Sequence, residues 1–316
     1  MRDRTLRKQI SESWLTLPVV AIVAALFWVL PDAQDLFLWG GVALAGLMAY
    51  ILVEWNNSFQ LLRIRSQMIS VTFLVLMAMF PQGHLFSLEV LPTLCLLLNY
   101  VVLFRAYGLY EPQGVVFHAF LFLSIGSLIE PLLLLLVPFL FFSIQVQLRA
   151  LTARSLGAGF IGWILPYWFY IPYLLWTEVF SVVVVREWSQ SLIPTLPNYA
   201  AVPLPHWIGL GIISLLALVS ILHFVRTSYN DKIRTRQYFY LLLVQELPIF
   251  LLAVAFPDRA NIFIPLLLLN STPFIAHYFA LAKGRGMNLW FSFWMLLLLG
   301  YGISHHFNLW TYYFNS

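Results

Sequence analysis

The sequence is poor in charge and has a single cysteine. Of its 316 residues, 9% are Asp, Glu, Lys or Arg and 61% are hydrophobic, whereas about a quarter of an average soluble chain is charged. Cys95 lies in an apolar run, which excludes a disulfide framework and a Cys/His metal site. The sequence also lacks a P-loop, a dinucleotide fingerprint, a zincin motif and a nucleophile elbow. These absences identify no metal site, leave any cofactor unknown and argue against a soluble enzyme.

Long apolar runs make up most of the chain instead. They predict an all-α, polytopic transmembrane bundle of about eleven spans, formed by one integral membrane domain over 1–316. Several runs are shorter than the usual span of about 20 residues, so we expect protein to shield them or Trp and Tyr flanks to extend them. The runs cover 15–31, 36–53, 67–80, 88–104, 114–129, 131–147, 157–176, 207–225, 237–256, 260–281 and 288–304.

The basic residues predict the orientation of these spans. With the N-terminus in the cytoplasm and the C-terminus outside, 15 of the 17 Lys and Arg residues fall in cytoplasmic segments. Arg186 and Arg259 are the two exceptions. This segregation predicts a multi-pass protein of the bacterial inner membrane and explains the basic character without nucleic acid as a partner. Residues 1–14 form a basic amphipathic segment that either lies on an anionic membrane surface or acts as a solvated tail.

Two connections stand out along the chain. As one helix, residues 115–148 would be about 51 Å long, too long for a hydrocarbon layer of about 30 Å. We therefore predict a turn at Glu130-Pro131, because proline suits the first position of a helix and a carboxylate favours its N-terminal end. The longest connection, 177–206, is predicted to lie outside, either as a lid over a cavity or as a stiff interfacial connector.

Charged residues on the predicted outer side form the first candidate site. Paired carboxylates can act as a general base or as metal ligands, and arginine can bind a phosphate. Ordinary hydrated loop residues would explain the same set, because no spacing among them is diagnostic. The residues proposed as catalytic are Asp32, Asp35, Glu130 and Arg186, and the wider set contains His84, Glu178, Glu187, His206, Asp258 and Arg259.

A second candidate site lies within the predicted spans. Glu246 precedes Pro248 near mid-span, where a carboxylate costs at least about 2.5 kcal/mol. It serves either as a proton or substrate site or as a hydrogen-bonding partner beside the proline. Asn99 and Asn270 occupy matching places in two stretches, 75–108 and 251–284, that a degenerate duplication would explain. His118 is assigned to the same pathway. The alternative is a structural hydrogen bond, and it applies to Asn99, Asn270, His118, Ser271, Thr272 and His277.

The stretch SLIEPLLLLLVPFLFFSIQVQLRALTARSLGAGFIGWILPYWF resembles an uncharacterised polytopic inner-membrane protein family of Bacteroidetes. An apolar hairpin, a basic loop and a Pro-Tyr-Trp helix recur in that family. The resemblance implies a compartment and a topology, and it adds no catalytic residue. Multi-spanning glycosyltransferases that use polyprenyl-phosphate sugars look similar in span number and in an acid after the first span, here Asp32. Their first outer loop is much longer than residues 31–35.

Three functional hypotheses follow from these patterns. In the leading one, the chain handles a lipid or lipid-linked substrate during cell-envelope assembly, with membrane lipids as partners. The alternative is a proton-coupled transporter built around Glu246, Asn99 and Asn270. The third is a non-catalytic subunit or scaffold that binds other membrane proteins.

Overall fold

The computed structural model describes residues 9–11, 13–176, 199–284 and 286–306. Across these ranges the chain forms helices and contains no strand. Short 3-10 helices join several of the α-helices. In chain order the α-helices are α1 (Thr16–Val29), α2 (Leu36–Phe59), α3 (Met68–Met79), α4 (Leu91–Leu103), α5 (Gln113–Ile129), α6 (Val137–Ser143), α7 (Ala153–Trp176), α8 (Leu204–Thr227), α9 (Ile233–Ala255), α10 (Ala260–Leu281) and α11 (Met287–His306).

Each predicted apolar run overlaps one of these helices, several of which extend beyond the run. Among the described residues, eight helical segments are long and apolar enough to cross a membrane. The other three, α1, α3 and α5, are apolar but have only 14, 12 and 17 residues. The prediction of a helical, multi-pass membrane bundle is therefore confirmed, while the number of crossings and the sides of the termini stay predictions.

The chain divides into two compact units, each assembled from separated stretches. Unit 1 contains Met1–Ser87, Ala201–Arg236 and Leu268–Ser316, and unit 2 contains Leu88–Ala200 and Gln237–Leu267. Neither unit is contiguous along the chain, because each recruits helices from distant parts of the sequence. The prediction of one integral domain over 1–316 stays a prediction.

In unit 1, the short helix α3 packs against α1, α2 and α11. Eleven of its twelve residues are buried. A helix of this length is about 18 Å long, less than the hydrocarbon layer of about 30 Å. Burial among neighbouring helices explains why such a short apolar helix is stable here, since protein rather than lipid surrounds it.

Helix α2 makes a close contact at Gly41 with the stretch of chain that follows α3. The Trp28 indole N–H donates to the carbonyl oxygen of His84 at 2.8 Å, and the two rings stack with centroids 4.1 Å apart. A Cβ on Gly41 would collide with that same carbonyl oxygen. Glycine is therefore required for α2 to approach the chain at His84.

In unit 2, α5 packs against α4 and α7. A Cβ on Gly162 of α7 would collide with the backbone carbonyl of Phe117 in α5. Small residues allow such close approach between membrane helices, where dispersion and interhelical hydrogen bonds drive association. The hydroxyl groups of Ser127 and Tyr167 add one such hydrogen bond at 2.7 Å.

The predicted turn at Glu130-Pro131 is present in unit 2. Helix α5 ends at Ile129, and Pro131 opens a 3-10 helix, Pro131–Leu136, that leads into α6. The Glu130 carboxylate accepts a hydrogen bond from the Leu132 N–H at 3.1 Å, which is the predicted N-terminal cap. After α6 a π-helical turn, Ile144–Leu148, ends the segment, so this predicted span is helical throughout but only partly α-helical.

Two predicted segments lie largely outside the described residues. Of the N-terminal segment 1–14, residues 9–11 and 13–14 are described. Of the long connection 177–206, residues 199–206 are described, and α8 already begins at Leu204. The proposed lid and Arg186 therefore lie outside the described residues.

Candidate functional site

A polar pocket of about 720 Å³ lies in unit 1. The end of α2, the loop before α3, and the turn that leads into α9 form its wall. Three cations and one carboxylate line it, namely Arg63, Arg65, Lys232 and Asp231. The neutral polar residues of the wall are Ser11, Ser13, Asn56, Asn57, Gln60, Ser66, Gln67 and Thr235.

Local hydrogen bonds hold the loop that carries two of these cations. Gln60 terminates α2 in the left-handed conformation, with φ at 52°. The Asn56 side chain then closes the loop, because its Nδ2 donates to Ser66 O at 2.9 Å and its Oδ1 accepts from Leu62 N at 3.2 Å. The Ser66 hydroxyl donates to Ser11 O at 2.5 Å. The pocket wall is thus held in place by the chain itself.

The buried carboxylate of Asp231 contacts both a histidine and an arginine at the pocket. Asp231 Oδ2 lies 3.1 Å from His277 Nε2, and Asp231 Oδ1 lies 3.3 Å from Arg63 Nε. The Asp231 side chain is 2% exposed and His277 is fully buried, whereas Arg63 is 36% exposed. The arrangement places Asp231 between a buried imidazole and a half-exposed guanidinium.

The turn before α9 positions Asp231 and its neighbour. The Asp231 N–H donates to Ser228 O at 2.9 Å and so closes the 3-10 turn Ser228–Asn230. Lys232 Nζ donates to Gln60 Oε1 at 2.7 Å, which links this turn to the end of α2. The turn and the loop therefore form one connected polar surface.

The charge and chemistry of the pocket suit an anion. Three cations face one carboxylate, so the wall is net positive. Arg63 meets Asp231 through its Nε, and its side chain is partly exposed on the pocket wall. Arginine and lysine are the side chains that bind phosphate groups best. Among the described residues, no group of three His, Cys, Asp or Glu side chains could hold a metal ion.

The proposed catalytic residues Asp32 and Asp35 lie in a turn of unit 1. Asp32 Oδ1 accepts from Gln34 N at 2.9 Å, and Asp35 Oδ1 caps α2 by accepting from Phe37 N at 2.8 Å. Both contacts stabilise the turn between α1 and α2. Their catalytic role stays a prediction, and the structure assigns each carboxylate a local structural task.

Glu130, the third of these residues, forms a buried ion pair in unit 2. Its Oε1 lies 2.6 Å from Nη1 of Arg259, which the sequence had placed in the same outer set. Glu130 is 3% exposed. Burial raises the pKa of Glu130, while the Leu132 amide and Arg259 oppose that shift. The pair joins the start of the helical segment after α5 to the turn before α10.

The intramembrane candidates fall in different places. In unit 2, Glu246 is buried, and Asn99 is fully buried with its Nδ2 donating to Ala119 O at 2.8 Å. His118 is exposed, and its Nδ1 lies 2.6 Å from the Gly114 carbonyl one turn earlier. Asn270 is fully buried in the part of α10 that belongs to unit 1. His118 thus lies on the outside of its helix, away from the enclosed polar groups.

Sequence reasoning missed the central contact of the pocket. Asp231 was not singled out from the sequence, and His277 was named only as a polar residue within a span. They are 46 positions apart, and Arg63 comes from another loop. The one available signal was a histidine in an apolar run with no charged residue close to it in sequence. That signal does not indicate which residue the histidine contacts.

Comparisons with known proteins identify no relative of this chain. No protein-family model matches it, and neither the curated proteins nor the solved structures yield a significant match.

Proposed function

We propose that this chain is a bacterial inner-membrane protein that binds a phosphate-bearing lipid or lipid-linked headgroup in the unit 1 pocket, as part of lipid handling in envelope assembly. The pocket itself carries the proposal. Its three cations, its amides and its hydroxyls match an anionic phosphate attached to a polar headgroup. The volume of about 720 Å³ is that of a small-molecule site.

The proposed topology places this pocket at the cytoplasmic leaflet. We propose eleven crossings with the N-terminus in the cytoplasm, because α1 precedes a longer apolar helix, α3 and α5 lie between longer ones, and the bases then segregate. Arg63, Arg65 and Lys232 all belong to segments on the cytoplasmic side in that topology. The site thus lies on the side opposite to the outer cluster that the sequence favoured.

An apolar groove favours a lipid over a free anion. The groove, about 160 Å³ in volume, also lies in unit 1 and is lined by Ile10, by Met68 and other residues of α3, and by apolar residues of α1, α10 and α11. Ile10 and Met68 are the chain neighbours of Ser11 and Gln67, which line the polar pocket. A headgroup in the polar pocket and part of an acyl chain in this groove would use both surfaces.

The test is lipid binding by the purified full chain. Short-chain phosphatidylglycerol should bind in calorimetry, and Arg63→Gln should weaken binding at least about tenfold, because charged hydrogen bonds contribute about 1.5–3 kcal/mol. Arg226→Gln is the matched control, since Arg226 is an exposed base of unit 1 outside the pocket. Equal binding by Arg63→Gln would contradict the proposal. Equal affinity for inorganic phosphate would assign the site to a free anion instead.

A second candidate function is proton-coupled transport through unit 2. Gln245 is fully buried, and neither polar atom of its amide has a hydrogen-bond partner among the described residues. The Oδ1 of Asn99 is also buried without a hydrogen-bond partner among the described residues. Such orphaned groups, in the unit that also contains buried Glu246, favour a site for a proton or a small polar solute. Proton flux into liposomes that is unchanged by Glu246→Gln would discard this function.

A further inference from the structure

A second apolar groove lies in unit 1, between α1 and α2, and has a volume of about 240 Å³. Its lining residues follow one face of α2 from Val42 to Val53 and one face of α1 from Leu17 to Trp28. Each of these stretches rises about 17 Å at about 1.5 Å per residue. Half of a hydrocarbon layer of about 30 Å is about 15 Å, so the groove is about as long as one leaflet is thick.

This second groove begins where the polar pocket ends. On α2, Asn56 and Asn57 line the polar pocket, and Val53 lines the groove. Residues three or four positions apart on a helix are neighbours, with Cβ atoms about 5–6 Å apart. The other wall shows the same order, because Trp14 lines the polar pocket and Leu17, three residues later, lines the groove. Both walls of the groove therefore lead away from the polar pocket along apolar helix faces.

Gly46 keeps the second groove open without bringing two helices together. It lies within the α2 wall, and a Cβ added there would meet no neighbouring atom within 4 Å. Gly41 of the same helix is different, because its Cβ would collide with the His84 carbonyl. A side chain at position 46 would thus enter the space of the groove rather than displace packed chain.

We propose that the site binds a lipid with two acyl chains, a glycerophospholipid rather than a single-chain polyprenyl phosphate. This inference rests on the proposed function of the polar pocket. One chain occupies the first groove, which Ile10 and Met68 line, and the other chain occupies the second groove. Helix α1 lines both grooves, with Val20 in the first and Leu17 in the second. The headgroup in the polar pocket then lies where the two chains meet.

Two separate grooves distinguish lipids by their number of chains. A lipid with one chain fills one groove and leaves the other empty. For a lipid that binds from water, each buried methylene group strengthens binding about fourfold. A second chain that enters its own groove therefore adds affinity, whereas a second chain without a groove adds little.

The experiment compares two lipids that share a headgroup and differ in chain number. Dihexanoyl phosphatidylglycerol and monohexanoyl lysophosphatidylglycerol are titrated as monomers into the purified full chain in calorimetry. The wild type should bind the two-chain lipid at least about tenfold more tightly, because about two buried methylene groups suffice for that factor. The ratio of the two affinities is the readout, since partition into detergent affects each lipid equally in every variant.

Gly46→Leu tests the second groove, because its side chain occupies the space that the second acyl chain needs. It should lower the affinity ratio at least about fivefold, whereas general damage to the fold would weaken both lipids and keep the ratio. Gly211→Leu is the matched control and should keep the ratio of the wild type. Gly211 is exposed on α8, lines neither groove and also has no neighbouring atom within 4 Å of an added Cβ. Ala25→Leu narrows the second groove from α1 and replaces Gly46→Leu if that variant does not fold.

The outcomes separate the number of chains from the headgroup site. Equal affinity of the wild type for the two lipids would overturn this inference and leave a single-chain lipid site at the polar pocket. A ratio that Gly46→Leu and Ala25→Leu both leave unchanged would overturn it as well, since the second chain would then lie elsewhere. An equal fall of the ratio in Gly211→Leu would also contradict it. If neither lipid binds the wild type, the proposed function fails and the inference fails with it.

Discussion

Glu130 of unit 2 and Asp231 of unit 1 are both buried carboxylates beside an arginine, but they are held differently. Glu130 uses one oxygen, Oε1, for both Arg259 and the Leu132 amide. Asp231 divides its two oxygens between Arg63 and His277. The first arrangement caps a helix and links two turns. The second leaves a guanidinium half-exposed on the wall of a polar pocket.

The two ion pairs differ in the charge that surrounds them. Arg259 is 25% exposed and also lies 3.9 Å from Asp258, so it is engaged by acids on two sides. Arg63 shares its pocket with Arg65 and Lys232, and one carboxylate does not neutralise three cations. The surplus of positive charge, rather than the presence of an ion pair, distinguishes the pocket in unit 1.

The largest expected effect is a loss of protein stability at low pH, which we attribute to His84 of unit 1. Burial lowers the pKa of His84 in unit 1 to about 4, and its Nε2 bonds the Met77 carbonyl at 3.0 Å. Because the unfolded chain binds the proton more readily, stability should be lost as pH falls. The loss should reach about 3 kcal/mol between pH 7 and pH 4, measured by unfolding in mixed micelles. His84→Gln should remove this acid sensitivity, and an unchanged loss would contradict the assignment.

The next effect concerns the pair in unit 2. Arg259→Gln leaves the buried carboxylate of Glu130 without its cation and should destabilise the protein by about 2 kcal/mol at neutral pH, less than for a fully buried pair because Arg259 is partly exposed. The raised pKa of Glu130 means that its contribution falls as pH rises. The variant should therefore recover stability on acidification. Glu130→Gln combined with Arg259→Gln should restore much of the loss at pH 7, and the absence of both recoveries would refute a pairwise origin.

A smaller effect tests the role of an acid that belongs to neither pair. Asp35→Ala removes the cap of α2 and should cost about 1 kcal/mol of unfolding free energy. Asp35→Asn keeps an acceptor and should cost less. Both variants should bind phosphatidylglycerol like the wild type. A loss of an envelope phenotype in Asp35→Asn with unchanged stability would instead support the catalytic role that the sequence suggested.

The smallest expected effect on stability concerns Arg63 of the pocket. Arg63→Gln should change the unfolding free energy by only about 0.5 kcal/mol, because Asp231 keeps His277 and Arg63 is partly hydrated. Its small effect on stability should contrast with its large effect on headgroup binding. A stability loss equal to that of Arg259→Gln would show that the two arginines have the same structural task.

Local sequence chemistry accounts for part of the candidate sites. The turn at Glu130-Pro131 was predictable because proline and a capping carboxylate act on adjacent residues. The partner of Glu130 was not, because Arg259 comes from the turn before α10. The contact of Asp231 with His277 was likewise beyond local patterns, since packing of α10 brings the two together. His118, which the sequence assigned to the same pathway as Glu246, lies on the exposed side of its helix, and its role in that pathway stays a prediction.

The sequence alone determined that this chain is a helical membrane protein and where its helices lie. The reason is that the length of an apolar run and the proline and polar residues that end it act within one segment. The tertiary structure decided which charged groups meet, because contacts such as those of Asp231 depend on how distant helices pack. It also decided that the loop before α3 and the turn before α9 line one polar pocket, where Arg63, Arg65 and Lys232 converge.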